Sequence, residues 1–162
     1  MFKKQLTPEQ ALQKLKHYCG YQERSHSEVR EKLYSLGVWK KDHDPIISTL
    51  IEQDYLNEER FVKAYAGGHF RMKHWGRVKI RYELKQRQVG EYLMKKAMSE
   101  IPEEDYLLKL GKLVTEKYDS LRADQYLVRK KKTMDYMIAK GYESNLVTAF
   151  LNQLIRDRKE ES

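Results

Sequence analysis

Apolar residues along the chain recur mostly at three- and four-residue steps, the pattern of helices that bury one face. Start signals punctuate it. Thr7-Pro8-Glu9-Gln10 sets a capping threonine before a proline at the first helical position, with glutamine where a capping box needs it. Ser25-His26-Ser27-Glu28 is a second capping box, ahead of Val29, Leu33 and Leu36, and Gly37 supplies a stop. Asp44-Pro45 opens a third apolar segment with Ile46, Ile47, Leu50 and Ile51, and Asn57 caps a fourth that begins EERFVKAYA. One stretch, GRVKIRYELKQRQV at 76–89, reads two ways. Val78, Ile80, Tyr82 and Leu84 alternate with charged residues as in a half-buried strand, yet Ile80 and Leu84 also lie four apart and would share a helix face.

An internal repeat resolves the ambiguity. Ile46-Ile47-x-x-Leu50-Ile51, Leu93-Met94-x-x-Ala97-Met98 and Leu146-Val147-x-x-Phe150-Leu151 share one pattern, with starts 47 and 53 residues apart. Val29, Leu33 and Val38 match Ile80, Leu84 and Val89 at equal spacing, and in the third copy Met134, Met137, Ile138 and Tyr142 are expected to form the apolar face. Among first helices, Ala11-Leu12-x-x-Leu15 pairs with Phe61-Val62-x-x-Tyr65. A period of about 50 residues predicts an all-α fold of three tandem three-helix repeats, at 7–55, 56–101 and 102–158. The 76–89 stretch is then a helix, the counterpart of 27–37. Units this small bury little apolar surface alone, so packing on neighbours is expected to stabilise them.

Composition agrees with a folded helical chain. Of 162 residues, 35% are charged and 40% hydrophobic, with three prolines and eight glycines. Nothing approaches the ~18 consecutive apolar residues of a membrane span. The start, MFKKQLTPEQALQKL, has neither an apolar core nor a small-residue cleavage site, so no signal peptide is expected. The single cysteine, Cys19, excludes an internal disulfide framework, fits a reducing cytoplasm and is expected near Leu12 and Leu15 as a buried structural thiol.

Charge is unevenly placed. The net charge is +8, which suits a polyanion, a membrane surface or an acidic protein surface. From 60 to 96 eleven Lys and Arg face two Glu, a local net of +9, and a second concentration lies at Arg129, Lys130, Lys131 and Lys132. On a helix Arg77, Arg81 and Lys85 form one stripe. With Arg71, Lys73 and Lys79, and with the Arg129–Lys132 run, they are the candidate partner- or nucleic-acid-binding residues. The competing reading is a solvated face of snorkelling side chains. Tyr65, Phe70, Trp75, Tyr82 and Tyr92 interleave with this segment; most are expected to pack between helices, with base stacking open for Phe70 and Trp75.

Catalytic chemistry finds no support. The five histidines lack zinc-ligand spacing, the acids around His43 read as cap and turn, and Gly67-Gly68 has no following Lys-Ser or Lys-Thr. No catalytic residue, metal site or cofactor is expected, and the chain reads as a non-enzyme.

Three motifs in order resemble the RecX family of recombination regulators. They are Ser27-Glu28-x-x-x-Lys32-Leu33-x-x-x-Gly37, Tyr55-Leu56-Asn57-Glu58-Glu59-Arg60-Phe61 and Gly76-x-x-Lys79-Ile80-x-x-Glu83-Leu84. The match is strongest over 24–89 and fades through the third unit. It departs at Gln88, where the family often has glycine, which leaves the end of that helix open. The resemblance implies tandem three-helix repeats in an elongated, curved, monomeric molecule. It further implies binding to RecA recombinase, chiefly as its filament on single-stranded DNA. There such proteins restrain ATP hydrolysis, strand exchange and coprotease activity in recombination and the SOS response. Two other classes stand beside it: a direct nucleic-acid binder that competes for DNA, and a helical adaptor for another acidic protein.

Overall fold

The computed structural model describes residues 6–160, and everything structural below concerns those residues. Residues 1–5, the start of the segment read as lacking a signal peptide, lie outside them. Nine α-helices follow in three successive triplets, with no strand among the described residues. The first triplet is α1 (Pro8–Tyr21), α2 (His26–Ser35) and α3 (His43–Glu52), the last preceded by a 3-10 turn at Lys40–Asp42. The second is α4 (Glu58–Lys73), α5 (Arg77–Gln86) and α6 (Glu91–Met98). The third is α7 (Glu103–Ser120), α8 (Tyr126–Ala139) and α9 (Ser144–Glu160). The 76–89 stretch is therefore helical.

Local chemistry sets the helix ends. Thr7 and Ser25 each form the full reciprocal capping box, with Gln10 and Glu28 respectively. Asn57 Oδ1 accepts from the Arg60 amide at 2.9 Å and caps α4. Around His43 the acids divide their work differently from a simple cap: Asp42 makes no side-chain cap bond, and Asp44 pairs with Arg30 of α2 at 2.6 Å. The middle helices all stop alike. Gly37, Gln88 and Gly141 take positive φ (76°, 60° and 97°), and the next residue returns its amide to the carbonyl of Leu33, Leu84 or Met137. Gln88 thus performs the glycine's task at some conformational cost, which settles the end of α5.

Burial corrects the repeat register in two places. In the middle helices Val29, Leu33 and Val38 correspond to Ile80, Leu84 and Val89, and then to Thr133, Met137 and Tyr142, all buried. Met134 is only half-buried and Ile138 is 48% exposed, so these two leave the third apolar face. Thr133 escaped notice because it is polar; its hydroxyl is satisfied by donating to the Arg129 carbonyl at 2.9 Å. Among first helices, Ala11–Leu15–Cys19, Val62–Ala66–Phe70 and Leu110–Val114–Tyr118 are buried rows at i, i+4 and i+8. Ala11 therefore corresponds to Val62, one residue along from the expected pairing with Phe61.

Packing divides the chain into two compact units, Met1–Tyr65 with Leu84–Ala97, and Ala66–Glu83 with Met98–Ser162. In the first, Ala11, Leu15, Cys19, Val29, Leu33, Ile47 and Leu50 form the centre of one apolar core. Each buried leucine contributes roughly 1.5–3 kcal/mol. Glu58 and Arg60, part of the motif that opens α4, tie that core's rim. His26 and Glu58 lie 3.6 Å apart, and Arg60 meets Glu23 at 2.6 Å and Asp54 at 3.0 Å.

In the second unit the turn before α5 lies directly on the turn before α9. The Gly76 amide donates to the Lys140 carbonyl and the Val78 amide to the Gly141 carbonyl, both at 2.8 Å. A Cβ at Gly76 would overlap the Gly141 carbonyl, and one at Gly141 would overlap Lys79. Only two glycines allow the backbones this close. Tyr142 closes the contact by donating its hydroxyl to the His74 carbonyl at 3.1 Å.

Two outcomes follow from this packing. Gly76→Ala should lower stability by about 2–3 kcal/mol in urea unfolding, since backbone rather than a flexible side chain must yield. Burial pushes the Cys19 thiol from an ordinary value of 9.0 up to about 11. The folded state thus favours the protonated thiol, a contribution that is complete below the ordinary value and fades as pH rises through about 11. In pH-dependent unfolding, Cys19→Ala should accordingly lose less stability than the parent between about pH 9 and 11, and the native thiol should resist thiol reagents at pH 8 until the chain opens.

Candidate partner and nucleic-acid interface

The ten predicted cations separate into those turned inward and those turned outward. Arg77, at the first position of α5, points inward with a side chain 20% exposed. Its guanidinium lies 3.9 Å from the centre of the Tyr106 ring, donates to Glu143 at 2.8 Å and reaches Glu103 at 2.6 Å. Tyr106, fully buried, accepts from the Arg77 amide at 3.0 Å and donates its own hydroxyl to Glu143. Burial and that Glu143 bond drive the Tyr106 pKa well above the ordinary tyrosine range. Its ring stacks on Tyr142 at 5.2 Å and lies 5.9 Å from Phe70. Arg77 thus anchors the α4–α5 turn to α7 and α9 within the second unit, and Phe70 is a core aromatic.

Arg129 repeats the arrangement. Its guanidinium sits 3.4 Å from the centre of the Tyr118 ring, Nε donates to the Tyr118 carbonyl at 2.7 Å, and Asp119 is 3.7 Å away. The remainder of that run is partly neutralised on the surface: Lys131 meets Asp135 at 2.8 Å and Lys132 meets Asp124 at 2.9 Å, while Lys130 is half-buried.

The outward-facing cations cluster at the end of α4 and along α5. Arg71 and Lys73 are exposed in the last turn of α4, and Lys79 places its ammonium 4.5 Å from the centre of the Trp75 ring, with Lys73 at 5.4 Å. Trp75 also packs on His69 at 4.5 Å. Arg81 and Lys85 are exposed one turn apart on α5, beside Val78 and Tyr82, which are 52% and 59% exposed. These four stand at i, i+3, i+4 and i+7, a mixed apolar and basic strip on one helix face. Such a strip can bury apolar area while its charges meet carboxylates or phosphates.

Lys109 of α7 and His74 belong to this neighbourhood and escaped the sequence reading. Lys109 donates to the carbonyls of Phe70 and Arg71 at 3.1 and 3.3 Å, capping the negative end of α4. It also lies 3.1 Å from His74 Nδ1. Desolvation, then Lys109 and Lys140, push the His74 pKa down, and its Nδ1 accepts from the Lys109 ammonium. Nothing in the local pattern marks Lys109, because its partners lie 35 to 39 residues away. Among the described residues no cluster of three or more His, Cys, Asp or Glu is arranged to hold a metal ion.

Comparison with known proteins places this geometry. Residues 57–98 match the family model described as RecX, second three-helix domain. The regulatory protein RecX of Bacillus cytotoxicus is 27% identical over 145 residues, covering 90% of this chain and 53% of the relative. That of Prosthecochloris aestuarii is 26% identical over 145 residues, covering 90% of this chain and 93% of the relative. The chain spans about half the length of the Bacillus relatives it matches. In fold it is similar to a crystal structure of regulatory protein RecX (TM-score 0.80, 21% identity, 90% of this chain and 73% of that one). RecX from Lactobacillus salivarius is equally similar (TM-score 0.79, 20% identity, 91% and 96% coverage).

The two groups of cations should differ in how much stability substitution costs. Arg77→Ala leaves the half-buried Glu143, which accepts from the Tyr106 hydroxyl, without its counter-ion, while the exposed Glu103 loses little, and should cost about 2 kcal/mol in denaturant unfolding. Arg81→Glu and Lys85→Glu should each change stability by no more than about 0.5 kcal/mol.

Proposed function

We propose that this chain is a regulator of the RecX kind, which its similarity to RecX proteins supports, and that it regulates recombination by binding the filament of RecA recombinase on single-stranded DNA. The observation that carries this reading is the exposed strip of α5, Val78, Arg81, Tyr82 and Lys85, inside the segment that matches the second RecX domain. Arg71, Lys73 and Lys79 extend the basic surface at the end of α4. The exposed cations Lys131 and Lys132 add a second, weaker one on α8, since each already holds an acidic neighbour. Arg77 and Arg129 serve the fold beneath these surfaces.

In this reading the protein acts by occupancy and performs no chemistry. It is a cytoplasmic monomer built of repeats at 7–55, 56–101 and 102–158, and its bound state slows ATP hydrolysis, strand exchange and coprotease action. Flexible lysine charges suit fast, salt-sensitive association, and the apolar members of the strip supply residence time.

The test is the DNA-dependent ATPase rate of the cognate recombinase on single-stranded DNA as this protein is added, repeated with excess free DNA. Inhibition should begin well below one protein per recombinase and survive the added DNA. The Arg81→Glu, Lys85→Glu pair should weaken it about tenfold while the fold persists. Inhibition abolished by free DNA would mean competition for DNA alone, and no inhibition in either condition would end the recombinase reading.

A further inference from the structure

A cleft of about 470 Å³ opens on the first triplet, away from the basic segment of α4 and α5 in sequence. Lys14, His17, Tyr18 and Tyr21 line it from α1, Arg24 from the α1–α2 connection and Lys32 from α2. No Asp or Glu among the described residues lines it. Glu28 and Glu31 act on Tyr18 without lining the cleft, and the Glu28 carboxylate accepts from the Ser25 amide at 3.1 Å.

The cleft is organised rather than merely basic. Arg24 Nε donates to the Tyr18 carbonyl at 3.1 Å, and its guanidinium lies 3.7 Å from the centre of the Tyr18 ring. That fixes the fork with its terminal N–H groups free of the bond Nε makes. Lys32 sits 5.4 Å from the centre of the same ring. Tyr21, 80% exposed, offers a flat aromatic face beside these cations. Cations held on the half-buried Tyr18 ring, with the exposed Tyr21 ring in the same cleft and no carboxylate among the described lining residues, match a ligand that is planar at one end and multiply anionic at the other.

We propose that this cleft binds a nucleoside phosphate, its base stacked on Tyr21 and its phosphate held by Lys14, Arg24 and Lys32. The same chemistry is offered by one residue of a single-stranded nucleic acid and by a free nucleotide. The inference does not rest on the recombinase reading, and its test uses no recombinase.

Amide chemical shifts of the full chain are followed as ATP, a fifteen-residue oligothymidylate or inorganic phosphate is added. Saturable shifts at 13–36 with ATP or the oligonucleotide, at concentrations where phosphate gives none, would support the site. Response to both probes indicates the nucleoside phosphate itself, and response to the oligonucleotide alone indicates a strand. Tyr21→Ala and Lys32→Glu should each weaken this binding roughly tenfold, and circular dichroism should be unchanged because neither side chain lies in the core. Equal response to inorganic phosphate, indifference to Tyr21→Ala, or oligonucleotide shifts confined to α4 and α5 would each overturn the proposal.

Discussion

The second unit depends on one close approach: two turns, 74–78 and 140–143, meeting backbone to backbone through Gly76 and Gly141. Side chains cannot enter that gap, so the peptide groups bond to each other directly. Everything nearby follows from the approach. It brings Arg77 within reach of Glu143, sets Tyr106 beneath the guanidinium, and lets Tyr142 reach back to His74. A half-buried arginine between two carboxylates and a tyrosine ring is costly to desolvate. It stands here because the backbone contact leaves each polar atom a partner.

Arginines and lysines divide the labour of a strongly basic chain. Arg60, Arg77 and Arg129 hold carboxylates, carbonyls and aromatic rings inside each unit, where a planar fork with several donors is the better tool. The outward surface is left mainly to lysines, with Arg71, Arg81, Arg122, Arg156 and Arg158 as the exposed arginines. Net charge alone therefore overstates the positive field available to a partner.

Much of this was legible locally. Capping residues at Thr7, Ser25 and Asn57 need only their next three neighbours, and the repeat showed through because Leu33 and Leu84 keep their spacing to the residues around them. Errors arose where a single position broke the apolar pattern. Thr133 hides in a core row because its hydroxyl bonds within its own helix, and Val62 rather than Phe61 continues the row begun by Ala11 because two adjacent apolar residues leave the phase undetermined. The charged site was harder still. Whether Arg77 faces solvent or the interior depends on Glu103 and Glu143, 26 and 66 residues away, and a helical stripe carries no record of them.

The division of the chain has a kinetic meaning. Residues 66–83 pack with the last triplet, while 84–97 pack with the first. The seat for the Gly76 turn is not made until residue 141 has left the ribosome, so the middle triplet waits, partly unsatisfied, for the end of the chain. Closing so long a loop slows folding far more than it weakens the finished structure. The repeats are successive in sequence, yet they do not fold like beads threaded one after another.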